Sequence, residues 1–290
     1  MRYKMNLNQD KISNPVSLTI RVIARGLQFP EGPAFAPDGS LWLVELKGES
    51  LVQYKDGELR RVHVGGGPNG IAIDATGRIW FCDSGRKEIR CYNPNSEEIK
   101  TVATEADGEI LNKPNDLAFD SRGNLLFTCP GESRKEPGGY ACVLMKDGTV
   151  KKITDEKYFP NGLAFTDGGK SLVMAETYKH RLWKGDWDAE KAEWSNEKIW
   201  CEIGGPNGPG GPDGMAFDEE GNLYAAVYGT GSIRVAGADG KLINEIKLPA
   251  QNPTNCAFDP SGELGLVVTE AESGTLLSIE IDKKGMKLFA

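Results

Sequence analysis

Six polar residues occupy the same place in six copies of one phrase, and most are residue types that hold hard cations. The copies read FPEGPAFAPDGSLWLVE, GPNGIAIDATGRIWFCD, KPNDLAFDSRGNLLFTC, FPNGLAFTDGGKSLVMAE, GPDGMAFDEEGNLYAAV and NPTNCAFDPSGELGLVVTE. The residue after the proline is in turn Glu31, Asn69, Asn115, Asn161, Asp213 and Thr254. Carboxylate and amide oxygens, with no cysteine or histidine among them, suit calcium, which takes about six to eight oxygen ligands. Magnesium and manganese also accept oxygen, magnesium with tighter octahedral demands. Glu31 and Asp213 together would balance one divalent cation. Carboxylates crowded into a narrow channel repel one another without such an ion.

The elements that must bring these residues together are short strands. The six prolines, Pro30, Pro68, Pro114, Pro160, Pro212 and Pro253, are 38, 46, 46, 52 and 41 residues apart. Strand-rich repeats of this length are propeller blades. Each unit predicts an apolar first strand, a turn rich in Asp and Gly, a second strand, and in most units two more. The fold expected is all-β, a six-bladed propeller with its site at one mouth of the central channel. The first strand of a blade lines that channel, so the residue after each proline sits at the mouth. The second strand returns to the same face and brings Glu45, Asp83, Thr128, Glu176, Tyr228 and Glu270 near it. A water-filled channel is also lined by polar groups, and Asn after Pro is a common turn residue. Spacing alone therefore leaves a cation site and a wet channel both open.

Closing the ring requires one more strand beside residues 253–281, and exposed sheet edges favour closure. SLTIRVIAR at 17–25 is preferred for this over the C-terminal KKGMKLFA. Residues 1–15 are expected to be a flexible arm and 16–290 a single propeller domain. The longest insertions are read at 130–139 and 184–196, with a Gly/Pro tract at 204–212.

Bulk properties exclude several functions. The 290-residue chain carries a formal charge of -8, which disfavours nucleic acid and anionic membrane surfaces as partners. No apolar run approaches the roughly 20 residues of a membrane helix. The polar N-terminus lacks a secretory core, so a cytoplasmic protein is expected. Six scattered cysteines without a C-x-x-C pair predict reduced thiols rather than zinc or disulfides. There is no G-x-S-x-G elbow, and GGGPNG at 65–70 opens a strand and lacks the ending of a phosphate loop. The only histidines are His63 and His180, and both are read as structural.

PEGPAF, PNDLAFD, FPNGLAF with the following AETYKHRLW, and PDGMAFD resemble the senescence marker protein/gluconolactonase/luciferin-regenerating enzyme family. The resemblance runs from about residue 26 to 281. NDLAFDSRGNLLFTCPGE and FPNGLAF are also similar to the related diisopropyl fluorophosphatases. It implies one divalent cation, commonly calcium, with zinc, manganese, magnesium and iron(II) as alternatives. Matching motifs make Glu31, Asn161 and Asp213 its ligands, and Asn115 a ligand or a substrate-orienting group. Lys113 falls where some animal members carry a substrate-contacting arginine, and a lysine lacks the bidentate geometry of arginine. Glu45, Asp83 and Glu176 are candidates for the surrounding shell or for partners of substrate hydroxyls, with a solvated rim as the alternative. The implied reaction opens a sugar-acid lactone, with Asp213 as general base and metal-activated water as a competing account. Two other readings are a phosphotriester or fluorophosphate hydrolase at the same site, and a non-enzymatic binding propeller. A small lactone is the expected partner, and the expected state is a monomer or small homo-oligomer.

Overall fold

Six four-stranded antiparallel sheets follow one another along the chain in this computed structural model, which describes residues 18–290. Blade 1 comprises Pro30–Phe35, Leu41–Glu45, Ser50–Lys55 and Glu58–His63. Blade 2 comprises Pro68–Ile73, Ile79–Asp83, Glu88–Asn93 and Glu98–Ala103. Blade 3 comprises Leu117–Phe119, Leu125–Cys129, Gly139–Leu144 and Val150–Lys157. Blade 4 comprises Pro160–Thr166, Ser171–Glu176, Arg181–Asp188 and Glu193–Cys201. Blade 5 comprises Gly211–Phe217, Leu223–Tyr228, Ser232–Ala236 and Leu242–Lys247. Blade 6 takes three strands from the C-terminal part, Pro253–Phe258, Leu266–Glu270 and Thr275–Ile279, and its fourth from Ile20–Arg25. This is the six-bladed propeller that the repeat predicts. The arm expected at 1–15 and the boundary at 16 lie outside the described residues.

Closure is by the N-terminal strand, paired from Ile20 opposite Ile279 to Arg25 opposite Thr275 with a bulge between Val22 and Ala24. The alternative closer, KKGMKLFA, runs instead along the face of the ring away from the prolines. There Gly285 bridges Asp218, the Met286 amide donates to Phe217 O, and the Phe289 ring meets Phe165 edge-on at 6.2 Å. In blades 2, 3, 5 and 6 the hairpin turn after the first strand is set by its own polar residues. Asp74, Asp120, Asp218 and Asp259 each accept the amide two residues on, the Asx turn that their place before Gly predicts.

The core lies between blades. Trp42, Val44 and Leu51 of blade 1 pack on Ile71, Ile79, Phe81 and Tyr92 of blade 2, and an equivalent cluster fills each of the other five interfaces. The second strands are apolar on both faces because each is sandwiched by two neighbouring blades; LWLVE and LLFTC are buried throughout. Each large side chain buried this way is worth about 1.5–3 kcal/mol.

Two expectations are revised. Residues 184–196 are not a loop: the third and fourth strands of blade 4 extend through them, with Trp187 opposite Trp194. Short β-propensity runs on either side of a four-residue turn read as an insertion because other blades lack their length. A small hairpin, Glu105–Ala106 with Glu109–Ile110, precedes blade 3 and was not foreseen. All six cysteines are buried and free. Cys82 faces Ile89 and Cys91 faces Trp80 across the strands. Among the described residues no helix is long and apolar enough to cross a membrane.

Candidate metal centre

A kink in the first strand aims the residue after each proline. Pairing with the second strand slips between Pro30/Glu31 and Ala34, and likewise after Pro68, Pro160, Pro212 and Pro253. Bulges of this kind bend a strand and redirect a side chain. In blade 3 the paired strand begins only at Leu117, past Asn115. Glu31, Asn69, Asn161 and Asp213 are buried at these positions, and Asn115 is half-buried.

The carboxylates feel one another. Burial is the main cause that raises the Glu31 carboxyl well above the usual range, followed by the charges of Asp213 and Asp116. The Gly32 amide and the Thr254 hydroxyl pull the other way. Asp213 is raised well above its ordinary value by burial and then by Asp116, while Asn161 opposes the shift. Without a cation this cluster is therefore driven to hold protons.

One atom tests whether the donors fit a cation. Asn161 Oδ1 is buried without a hydrogen-bond partner, while Nδ2 of the same amide donates to Thr177 Oγ1 at 3.2 Å. A buried amide oxygen left unpaired costs about 1–3 kcal/mol, and a hard cation is a partner that would satisfy it. Among the described residues no three His, Cys, Asp or Glu side chains form a metal cage by themselves. A cation held here would need the amide oxygens of Asn161 and Asn115 beside the carboxylates of Glu31 and Asp213.

One layer deeper, four blades carry glycine: Gly32, Gly70, Gly162 and Gly214. The other two carry Asp116 and Asn255, whose side chains meet from opposite sides of the ring, Nδ2 to Oδ2 at 3.5 Å. Asp116 is buried and its carboxyl is pushed up to about 6, by burial first, with the Leu117 and Asn255 hydrogen bonds opposing. It is a third carboxylate bearing on both Glu31 and Asp213, and the sequence reading did not single it out. The signal was present in KPND and NPTN, where every other copy has glycine two places after the proline. The glycines leave room for this floor: a β-carbon at Gly70 would lie 2.3 Å from Asp116 Oδ1, and one at Gly214 1.8 Å from Asn255 Cγ. Gly214→Ala is expected to destabilise by at least about 2 kcal/mol through overpacking, read as a lower denaturant midpoint with unchanged slope.

The acids predicted at the ends of the second strands brace the loops that lead into the ring. Glu45 Oε1 accepts the Gln28 amide, and its carboxylate is held in a fork by Arg61 at 2.9 Å. Glu176 accepts the Tyr158 amide, Arg181 Nε and Trp183 Nε1. Asp83 accepts the Gly67 and Arg86 amides and Arg90. Glu270 accepts the Asn252 and Ser273 amides. Gln28, Gly67, Tyr158 and Asn252 all stand one or two residues before a ring proline, so in blades 1, 2, 4 and 6 an acid fixes the approach to the site. Glu45 and Glu176 are fully buried in these contacts.

The rim is made by the residues just before the prolines. Phe29, Lys113 and Phe159 have φ of 59°, 55° and 61°, a left-handed conformation that bulky residues resist and that is further disfavoured before proline. Strain of this kind persists where surrounding bonds impose it, often at functional sites. Phe29 stacks on Tyr228 with ring centres 6.4 Å apart, and the Tyr228 phenol is raised by burial and then by Asp213 and Glu31. Phe159 meets Tyr178 edge-on at 5.4 Å. Lys113 and Arg134 both pair with Glu132, which is held below its ordinary value mainly by Lys113. His63 is exposed beside Glu49 at 4.0 Å, far along the outer strand of blade 1. His180 bonds Gly210 O through Nε2 at 3.1 Å.

Comparison with known proteins agrees with this fold. Residues 19–272 match the SMP-30/Gluconolactonase/LRE-like region. The chain is 29% identical to the diisopropyl-fluorophosphatase of Loligo vulgaris, over 89% of this chain and 91% of that one. It is 28% identical to the gluconolactonase of Zymomonas mobilis, over 86% of this chain and 78% of the relative. A crystal structure of a calcium-binding protein, regucalcin, from Agrobacterium tumefaciens superposes with a TM-score of 0.83 at 20% identity, covering 94% and 97% of the two chains.

Proposed function

The chain belongs to the SMP-30/gluconolactonase/LRE-like family, and on that premise we propose that it is a divalent-metal-dependent hydrolase opening a sugar-acid lactone to the aldonic acid. The observation that carries this reading is the unpartnered, buried Oδ1 of Asn161, whose side chain also meets Asp213. Glu31, Asn115, Asn161 and Asp213 would hold the cation, with calcium the first candidate for this oxygen set. When bound, such an ion supplies Lewis-acid polarisation of the lactone carbonyl.

The protein's own groups do the rest. Asp213 is assigned as the general base that accepts a proton from the attacking water. The water oxygen bonds to the carbonyl carbon, the ring C–O bond breaks, and the proton passes to the departing ring oxygen as its hydroxyl forms. Burial raises the Asp213 carboxyl in the metal-free protein; with a cation bound it would be held ionised, the form in which a carboxylate can accept a proton. Lys113 at the rim can donate to a substrate hydroxyl, with Glu132 fixing its position. Asn115 orients the substrate beside the cation. Glu45 and Glu176, bound to Arg61 and Arg181, act on substrate only through the loops they brace.

Similarity to a diisopropyl-fluorophosphatase keeps a second reading: the same site acting on a phosphoryl centre. A non-enzymatic binding propeller has no use for an orphaned ligand oxygen among buried acids. The test is a panel of glucono- and pentonolactones and a fluorophosphate, followed by acid release, with divalent ions added back to chelator-treated protein. Lactone opening that vanishes on chelation and returns with calcium is expected. Turnover of the fluorophosphate alone would favour the second reading, and rates unaffected by exhaustive chelation would remove the metal mechanism.

A further inference from the structure

The two acidic residues of the ring share a support that the repeat does not advertise. Thr177 follows Glu176 in the turn Thr177–Lys179 after the second strand of blade 4. Its hydroxyl is buried, donates to Pro212 O at 2.8 Å, and accepts Asn161 Nδ2 at 3.2 Å. Pro212 is the residue before Asp213, on the next blade. Thr254, the ring residue of blade 6, is fully buried beside Glu31. It donates to Pro30 O at 2.7 Å and shares a 2.8 Å bond with Thr269 Oγ1. Pro30 is the residue before Glu31, again on the next blade.

In both places a threonine from one blade pins the carbonyl that precedes the carboxylate on its neighbour. Proline has no amide hydrogen and a fixed φ. Holding its carbonyl restrains proline's remaining torsion, ψ, and so fixes the peptide plane from which the next residue starts.

Thr177 has a second effect. A hydroxyl has one hydrogen to donate, and Pro212 O takes it. What Thr177 offers Asn161 is a lone pair, so Asn161 must present its NH2 there and turn Oδ1 the other way. That is the orientation in which Oδ1 has no protein partner. The rest of the turn reinforces the arrangement. His180, with φ 55°, donates from Nε2 to Gly210 O, and Gly211 passes so close that a β-carbon there would lie 2.1 Å from Thr177 O. The segment leading to Asp213 is thus clamped along Gly210–Pro212 by Thr177 and His180.

We propose that Thr177 and Thr254 are positioning residues for the cation site: each presets one carboxylate through the proline before it, and Thr177 also sets which end of the Asn161 amide faces the ion. The inference rests on the cation site proposed above. Groups that orient metal ligands from behind typically change metal affinity by about 10- to 100-fold when removed.

The experiment is calorimetric titration of chelator-treated protein with Ca2+ alone, for the unmodified chain and for Thr177→Val, Thr177→Ser, Thr254→Val and Thr254→Ser. Valine keeps the shape and removes the hydroxyl; serine keeps the hydroxyl. Both valine variants are expected to bind Ca2+ about 10- to 100-fold more weakly, Thr177→Val the weaker of the two, with the serine variants within about threefold of the unmodified protein. Thermal melts in chelator accompany each titration. A valine variant whose melting point in chelator is close to the unmodified one, yet whose rise on adding Ca2+ is smaller, confirms a role directed at the ion. Unchanged affinity in the valine variants overturns the proposal while leaving the cation site standing. A melting-point loss equal in chelator and in Ca2+, with unchanged affinity, makes the threonines purely structural and overturns it too. No Ca2+ binding by the unmodified chain overturns the cation site and the proposal together.

Discussion

Asp213→Asn is expected to lower kcat/KM for lactone opening by about 10³-fold, or roughly 4 kcal/mol of transition-state stabilisation. The substitution keeps size and one oxygen but removes the only proton acceptor assigned to the attacking water. It also removes one of the two ring charges, so Ca2+ affinity falls as well. The assay is therefore run at Ca2+ concentrations that saturate the variant, as judged by calorimetry. Under those conditions a loss confined to kcat identifies a group acting on the reaction. A loss that disappears at saturating Ca2+ would reduce Asp213 to a ligand and return the base to another group. Asp213 is buried beside Asp116 and Asn161, and a bound cation would keep it in the ionised form that accepts a proton. An asparagine there would be neutral at every pH, so the acid limb of the pH–rate profile assigned to this group should vanish with the activity.

The second large effect is on stability. In the absence of a cation Glu31, Asp213 and Asp116 all hold their protons more tightly folded than unfolded. Unfolded carboxylates release theirs near pH 4. Above that pH the folded state binds more protons than the unfolded state, so stability falls as pH rises, until the folded groups also ionise. For Asp116 alone, with a folded value of about 6, the loss is on the order of 3 kcal/mol, complete somewhat above that pH. A divalent cation favours the ionised forms and reverses the trend, releasing protons as it binds. Scanning calorimetry should show a chelated protein that melts lower at about pH 8 than at about pH 5, and a Ca2+-induced rise in melting temperature that is larger at the higher pH. Proton uptake rather than release on Ca2+ binding, or a larger Ca2+ effect in acid, would contradict the arrangement of these three carboxylates.

How much of this was visible beforehand differs by level. The blades were legible because each strand is a local pattern: apolar residues, a turn of Asp and Gly, and a proline to start again. Even closure by Ile20–Arg25 followed, since an unpaired edge needs a partner and the N-terminal segment had strand character. The hairpin through 184–196 was misread because its two strands, Arg181–Asp188 and Glu193–Cys201, are longer than the repeat leads one to expect. Of the candidate site residues, Glu31, Asn161 and Asp213 come together with Asp116 in one electrostatic cluster. Glu45 and Glu176 arrive on the same face but spend their oxygens on arginines and loop amides, which no spacing could reveal.

Thr254 shows the division most plainly. In sequence it is a ring residue too small and too neutral to matter as a ligand. In the folded protein it holds the carbonyl before Glu31 on a blade that begins 224 residues earlier. By itself the sequence determined the repeat, the number of blades and the chemical type of each residue at the mouth, because strand periodicity and turn chemistry act over a few residues. Only the tertiary structure decided which oxygens are left without partners, which acids are neutralised by arginines, and which hydroxyls pin the ligands. Those outcomes depend on contacts between blades, and a contact between blades exists only once the ring has closed.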